Sequence, residues 1–343
     1  MSSKSKNDSK PVIGITIGDV NGIGPEVIIK ALRDNRLLNY FTPVVYGSTK
    51  TLAYYRKALG ADDFNYSQVK EKGQLHSKKV NVVNCWEEMV DISPGEITKE
   101  AGNASFMALK TVVEDLKAGY IDGVVTGPIN KHNTQNEEFN FPGHTEFFTK
   151  HFDVKDSLMF LTSEDLRVGV VTGHIPLKDV ATAIGKEKVA SKLSIMENSL
   201  KQDFGIAKPK IAVLGLNPHA GEDGLLGSED DGIIRPVVKD FKNKGSLVYG
   251  PFPADGFFGK GDYKKFDGIL AMYHDQGLIP FKTIAFQRGI NYTAGLPIVR
   301  TSPDHGTAYS IAGKNEANEG SMREAILLAY DICKNRNQLL KDE

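Results

Sequence analysis

The feature that most constrains this chain is a series of short, unbroken apolar runs, each followed by a glycine-rich or polar exit. Residues 11–17, 42–47, 121–126, 168–173, 211–216 and 268–273 lack the apolar-polar alternation of a half-solvated strand. They read as strands buried on both faces, the pattern of a parallel sheet covered by helices. Between them, apolar residues recur at helical spacing: Val27, Ile28, Ala31 and Leu32; Ala104, Met107, Ala108, Val112 and Leu116; Val189, Leu193, Met196 and Leu200; and a closing stripe over 322–333. Alternation of this kind specifies an α/β fold. At 343 residues the chain exceeds the usual size of one core, so two domains are expected.

Three of the runs deliver a histidine where the strand leaves the sheet. Residues 168–173 lead to His174, residues 211–216 to Asn217-Pro218-His219-Ala220-Gly221-Glu222, and residues 268–273 to His274 with Asp275 beside it. Ligands of open α/β sheets collect outside the carboxyl ends of strands, so three imidazoles arriving there suggest one shared site. Any one of them alone reads as a structural histidine; jointly that reading weakens. They lack HxH or HExxH spacing and would converge from separate loops. Imidazole suits zinc, cobalt and similar borderline ions, whereas magnesium prefers oxygen ligands. Three protein ligands would leave positions open for substrate, and the ion would act as a Lewis acid. Asp255, Asp275 and Glu222 are the carboxylates near these exits. The acids Glu222, Glu229, Asp230 and Asp231 lie in a glycine-rich stretch that reads as a surface loop with a solvated acidic face.

Candidates for holding an anion lie elsewhere. His144 and Thr145 open an amphipathic segment, where the free amides of a helix start attract negative charge or the residues serve only as a cap. His151, inside that segment, reads as structural. Lys282, Asn291 and Arg300 fall in or just after short apolar runs and could together hold a doubly anionic substrate. The turn Gly18-Asp19-Val20-Asn21-Gly22-Ile23-Gly24 after the first strand has Val27 where the dinucleotide fingerprint needs its third glycine. It reads as a tight βα turn in preference to a pyrophosphate cradle.

Lys and Arg number 42 against 43 Asp and Glu, and no basic run stands out, so neither nucleic acid nor a membrane surface is expected as partner. The polar segment 1–10 reads as a disordered tail and not as a signal peptide, and no stretch reaches the roughly 20 apolar residues of a membrane span; a cytoplasmic protein is expected. Cys85 and Cys333 share no CxxC spacing and indicate neither a disulfide nor a cysteine metal site. The residues leave several classes open: a metal-assisted dehydrogenase of a small anionic hydroxy acid, a mononuclear metal hydrolase in which Asp255, Asp275 or Glu222 activates water, and a non-catalytic binder of phosphorylated metabolites.

Six segments in register resemble the 4-hydroxythreonine-4-phosphate dehydrogenases of vitamin B6 biosynthesis: Gly22-Ile23-Gly24-Pro25-Glu26, Thr126-Gly127-Pro128, Gly143-His144-Thr145-Glu146, Asn217-Pro218-His219-Ala220-Gly221-Glu222, Tyr273-His274-Asp275-Gln276-Gly277 and Arg300-Thr301-Ser302-Pro303-Asp304-His305-Gly306-Thr307-Ala308. The resemblance implies a two-domain α/β/α fold like that of isocitrate and isopropylmalate dehydrogenases, with the active site in the cleft between domains. It implies a discontinuous first domain (11–135 with 283–343), a second domain carrying the dimer interface (136–282), and a homodimer with a shared site. His174, His219 and His274 would be ligands of one divalent ion (Zn, Mg or Co), with His274 donated by the partner subunit. His144, Thr145, Lys282, Asn291 and Arg300 would contact a phosphorylated hydroxy amino acid. Asp304, His305, Gly306, Thr307 and Gly313 would belong to the region that binds NAD or NADP, and Asp255, Asp275 and Lys282 would take the catalytic roles. The implied reaction oxidises 4-phosphooxy-L-threonine to a β-keto acid that decarboxylates to 3-amino-2-oxopropyl phosphate. Related enzymes act on 4-phospho-D-erythronate or phosphorylated threonate, which stereochemistry at one or two carbons separates.

Overall fold

Every apolar run named above contains a strand in the computed structural model, which describes residues 10–164, 166–285 and 288–342. In chain order the elements begin β1 (Val12–Thr16), α1 (Gly24–Leu32), β2 (Thr42–Gly47), α2 (Thr49–Ala58), β3 (Tyr66–Gln68), β4 (Val80–Asn84), α3 (Lys99–Lys117), β5 (Gly123–Thr126), α4 (Lys131–Thr134) and α5 (His144–His151). There follow β6 (Leu158–Ser163), β7 (Leu166–Thr172), α6 (Val180–Ala183), α7 (Lys186–Gln202), β8 (Lys210–Leu214), α8 (Arg235–Asn243), β9 (Leu247–Phe252), α9 (Ala254–Gly259), β10 (Gly268–Tyr273), α10 (His274–Ala285), β11 (Ile290–Ala294), β12 (Val299–Pro303) and α11 (Gly320–Asp342). The tail expected over residues 1–10 lies outside the described residues except for Lys10, whose ammonium donates to Leu38 O at 2.9 Å and so is tied down.

The chain divides into two compact units, one running up to His151 and resuming over Ile298–Lys334, the other formed by Phe152–Pro297 and the segment from Asn335. Both exchanges come later than the expected boundaries after residues 135 and 282. The first is late because aromatic packing keeps 136–151 with the first unit: the Phe139 ring lies 6.1 Å from Phe106 on α3 and 5.2 Å from Phe147 on α5. The second is late because β11 pairs with β6 along its whole length, from Ile290 opposite Thr162 to Ala294 opposite Leu158.

In the first unit the strands run β3-β4-β2-β1-β5-β12, every pair parallel. β1 and β2 sit mid-sheet and are buried almost throughout, as strands covered on both faces must be. Helix α3 is capped by Thr98, whose hydroxyl accepts from Ala101 N, and buries Ala104, Ala108, Val112 and Leu116. Met107, expected on that stripe, is 40% exposed. The buried face carries Ser105, Leu109 and Val113 instead, one position round the helix.

In the second unit the order is β11-β6-β7-β10-β8-β9. Here the parallel pattern breaks: β6 is antiparallel to both β7 and β11, whereas β7-β10-β8-β9 are parallel. Helix α7 buries the expected stripe of Val189, Leu193, Met196 and Leu200. The other face is closed by Phe257, Leu278 and Phe281 packed on Val168, Val170, Ala212 and Ala271. Residues 251–256 end β9 and begin α9, with Asp255 in the first turn of that helix. No described helix is long and apolar enough to cross a membrane.

Candidate functional site

The sheet order of the second unit puts the three histidine-bearing strands side by side. β7 leads to His174, β10 to His274 and β8 to His219, and these are consecutive parallel neighbours. Their carboxyl ends are tied together by polar side chains that the sequence did not mark. Thr172 Oγ1 donates to Met272 O at 2.8 Å. Gln276 accepts from Met272 N at 2.7 Å and donates to Gly215 O at 2.6 Å, bridging the ends of β10 and β8. The His174 and His274 rings lie 5.7 Å apart, centroid to centroid. The Nδ1–H of His274 donates to Asp275 Oδ1 at 2.7 Å, an arrangement that leaves Nε2 as the free ligating atom. His219, Asp255, Asp275 and Gln276 line one open cleft of about 500 Å³, with Tyr273 and Ile279 on its wall. The donor types fit a divalent ion, yet among the described residues of one chain no three His, Cys, Asp or Glu side chains gather closely enough to enclose one.

His219 sits on unusual backbone. His219, Ala220, Gly221, Glu222, Asp223 and Gly224 all have positive φ, between 43° and 88°, so six consecutive residues have left-handed backbone, of which only two are glycines. Left-handed geometry costs about 1–2 kcal/mol per non-glycine residue, and it persists only where the surroundings over-determine it. Here the turn is closed by Ala220 N donating to Asn217 O and Leu226 N to Gly221 O, and the residues leading into it are anchored by Asp230. The sequence placed Asp230 on a solvated acidic face; in the fold it is fully buried. Its Oδ1 accepts from Leu216 N at 2.8 Å, and its Oδ2 accepts from Asn217 N at 3.1 Å and Asn217 Nδ2 at 3.0 Å. Glu229 also accepts from Asn217 Nδ2, at 2.9 Å, whereas Glu222 is exposed as expected. An acidic run shows its average character, not which member the fold turns inward, so no local signal singled out Asp230.

The anion candidates of the first unit form a second group. Arg300, on β12, is 2% exposed, and its guanidinium donates to Thr126 Oγ1 on neighbouring β5 at 2.6 Å. Burial lowers its pKa to about 9, opposed by the negative charge of Glu146, and it remains cationic at neutral pH. His144 opens α5, where its Nε2 is buried without a hydrogen-bond partner. Burial, then the positive charges of Arg300 and Lys131, hold the His144 pKa well below the ordinary histidine value, so the ring is neutral. A buried cation beside a neutral imidazole with an unspent nitrogen suits an incoming anion. Thr145 is half-buried beside them. His151 caps its own helix, Nδ1 against Phe147 O at 2.9 Å, and its ring packs tilted against that of Phe147, as a structural residue does.

Of the remaining candidates, Asn291 lies on β11 with its Oδ1 buried and unpartnered, and Lys282 is half-buried on α10, two turns beyond Asp275. In the 304–313 segment, Asp304 N donates to Ser321 Oγ at 3.1 Å. His305 Nε2 is buried without a partner, and burial lowers that ring's pKa. Thr307 O accepts from Ile23 N, and Gly313 packs against Pro94. Three side chains chosen from sequence, His144, Asn291 and His305, thus carry buried polar atoms with no hydrogen-bond partner among the described residues.

Comparison with known proteins bears on what these groups serve. The family described as Pyridoxal phosphate biosynthetic protein PdxA matches residues 39–329. A 4-hydroxythreonine-4-phosphate dehydrogenase of Bacteroides thetaiotaomicron is 52% identical over 332 residues, 96% of this chain and 91% of that protein. An Oceanobacillus iheyensis protein, provisionally named a D-threonate 4-phosphate dehydrogenase, is 38% identical over 94% of this chain and 98% of its own. The solved 4-hydroxythreonine-4-phosphate dehydrogenase of Klebsiella pneumoniae superposes with a TM-score of 0.81 at 34% identity, covering 96% of this chain and 99% of that one. Six motifs in register, the fold and these matches agree: the chain belongs to the PdxA family of pyridoxal phosphate biosynthetic proteins and is an oxidoreductase of the dehydrogenase class.

Proposed function

We propose that this dehydrogenase oxidises the secondary alcohol of 4-phosphooxy-L-threonine with NAD or NADP, and that the resulting β-keto acid loses carbon dioxide to give 3-amino-2-oxopropyl phosphate. A bound NAD or NADP would accept the hydride, a carboxylate of the protein would take the hydroxyl proton, and the enolate left when carbon dioxide departs would take up a proton at carbon. The observation that carries the reading is that three adjacent parallel strands of each chain bring His174, His274 and His219 to the same end of its sheet, where a second copy can exchange one of them. These imidazoles are the ligands we assign to one divalent ion, zinc, cobalt or magnesium; when bound, such an ion polarises the substrate's hydroxyl and carbonyl oxygens. Arg300 and Lys282 supply positive charge for phosphate and carboxylate, and neutral His144, Thr145 and Asn291 supply hydrogen bonds. Asp275 is engaged with His274, which leaves Asp255, exposed in the cleft, as the carboxylate assigned to take the hydroxyl proton. The 304–313 segment is assigned to the nucleotide. The hydrolase and pure-binder readings are set aside by family membership.

The ligand set is proposed to close in a homodimer, His274 coming from the second subunit. One observation supports this: α10, which begins at His274, exposes Ile279 (63%) and Ile284 (46%), apolar surface suited to a second copy. The 5.7 Å pairing of His174 and His274 favours a second reading, in which both belong to one chain's site. Mixing inactive His219→Ala and His274→Ala enzymes separates the two. Hybrid dimers regain part of the activity if the site is shared; no recovery despite confirmed subunit exchange refutes sharing. Substrate is tested by comparing kcat/KM for 4-phosphooxy-L-threonine, 4-phospho-D-erythronate and phosphothreonate. A higher value for either of the latter replaces the first assignment.

A further inference from the structure

The glycine turn after β1 has a use that neither the dinucleotide fingerprint nor the plain-turn reading supplies. The place a pyrophosphate would occupy is filled by the chain itself. Ile23 N–H donates to Thr307 O at 2.9 Å, and a Cβ on Gly22 would stand 2.9 Å from that oxygen and 3.0 Å from Thr307 Cβ. Only a residue without a side chain lets the 307 backbone lie this close. Two residues on, the Tyr309 hydroxyl donates to Asp19 Oδ2 at 2.9 Å. Asp19 is fully buried, and its other bonds fix it in place: Asn133 Nδ2 donates to Oδ2 at 2.8 Å and Asn21 N to Oδ1 at 2.9 Å. Burial and the neighbouring Asp19 charge push the Tyr309 hydroxyl's pKa up, so it stays protonated and able to donate.

The same turn holds a third segment. Asn21 accepts from Ser93 N at 2.9 Å through its side chain and from Gly95 N at 2.8 Å through its backbone, and its Nδ2 donates to Thr98 Oγ1 at 3.2 Å. Gly95 in turn lies beneath Tyr309 O, and Pro94 against Gly313. The 307–313 stretch is therefore seated on residues 18–24 from one side and 93–95 from the other. Ala308, between the two anchor points, has left-handed backbone (φ 44°, ψ 51°), a conformation an alanine does not hold unaided.

From this we infer that Asp19 and Tyr309 form a latch that holds the 304–313 segment in its nucleotide-receiving shape before the dinucleotide arrives, which makes both of them positioning residues for cofactor binding. The inference rests on assigning the nucleotide to that segment. Pre-ordering a binding segment improves affinity because the ordering cost is met during folding. A latch of this kind acts on cofactor affinity alone.

The test uses the full-length enzyme, titrated with NAD and with NADP by calorimetry, alongside Tyr309→Phe and Asp19→Asn. Tyr309→Phe removes one oxygen and keeps the ring, so it retains the fold even if the buried Asp19→Asn change does not. The expected result is a Kd raised about tenfold, the scale of one hydrogen bond to a charged group. Cofactor KM should rise in parallel, with kcat at saturating cofactor within about twofold of wild type. Amides of 305–313 should exchange faster in the free variant than in the free wild type. Unchanged Kd and exchange in Tyr309→Phe would overturn the latch. Wild-type enzyme in which saturating NAD and NADP leave exchange over 304–313 unaltered would instead overturn the nucleotide assignment, and the latch with it.

Discussion

Asp230→Ala should release the turn that carries His219, and the size of the effect follows from the contacts. The carboxylate is fully buried and accepts two backbone amides, Leu216 N and Asn217 N, together with Asn217 Nδ2. An amide left unpaired in a buried site costs about 1–3 kcal/mol. Glu229 still accepts from Asn217 Nδ2, so the side-chain bond is partly replaced while the two backbone amides are not. The loss should be about 3 kcal/mol. Against it stands the turn's own strain, about 4–8 kcal/mol for four non-glycine residues in left-handed geometry. A clamp weakened by that much no longer secures so costly a conformation, and the effect should be local: faster opening of residues 216–224 and displacement of His219. The assay is native-state hydrogen exchange, which reads the opening free energy of the 216 and 217 amides directly. Cobalt titration followed by visible absorption gives the second readout, with affinity expected to fall at least tenfold. Asp230→Asn keeps the shape but presents one oxygen and an NH2 where two oxygens accepted, so it should fall between wild type and alanine. Opening free energies within about 0.5 kcal/mol of wild type, with cobalt affinity unchanged, would refute the reasoning.

Two further outcomes follow from the first unit. The folded pKa of His144 lies below its unfolded value of 6.5, so its contribution to stability is full above that pH and is lost as pH falls toward the folded pKa. Relative to His144→Gln, wild-type enzyme should lose up to about 1.4 kcal/mol per pH unit below 6.5, measured as chemical denaturation at several pH values; parallel pH dependences would contradict this. Arg300 is a buried cation whose pKa burial has lowered, which means its charge is held at a cost to folding. Arg300→Met should therefore melt no lower than wild type while substrate KM rises at least about a hundredfold, the loss expected when a buried charge pair is broken. A clearly lowered Tm with near-normal KM would show that Arg300 serves the fold and not the substrate.

Much of the fold could be read from periodicity, because burial on both faces of a parallel sheet leaves short unbroken apolar runs between glycine-rich or polar exits. β2 and the α7 stripe lie where that pattern puts them. The short strand β11 shows where periodicity runs out: whether a strand pairs parallel or antiparallel depends on its neighbour, and β11 follows β6. That one pairing moved the second domain boundary. Met107 illustrates a smaller limit, since a helical stripe can be shifted by one position when Ser105 and Leu109 fill the buried face. Asp230 illustrates a larger one: a carboxylate surrounded by other acids looks solvated until the fold supplies amides that need an acceptor.

What the sequence determined by itself was the inventory: α/β layering, histidines at strand exits, and a basic and imidazole set suited to an anion. These follow from local rules, the strand's two-residue and the helix's 3.6-residue periods and the chemistry of each side chain. Only the tertiary structure decided adjacency. It placed β7, β10 and β8 side by side so that three distant histidines share one sheet edge, wound residues 219–224 left-handed next to a buried carboxylate, and filled the glycine turn with Thr307. The reason is physical: hydrogen-bonded neighbours, buried acceptors and close backbone approaches are satisfied by groups up to some 290 positions away, as Tyr309 satisfies Asp19, and no local pattern encodes a partner at that distance.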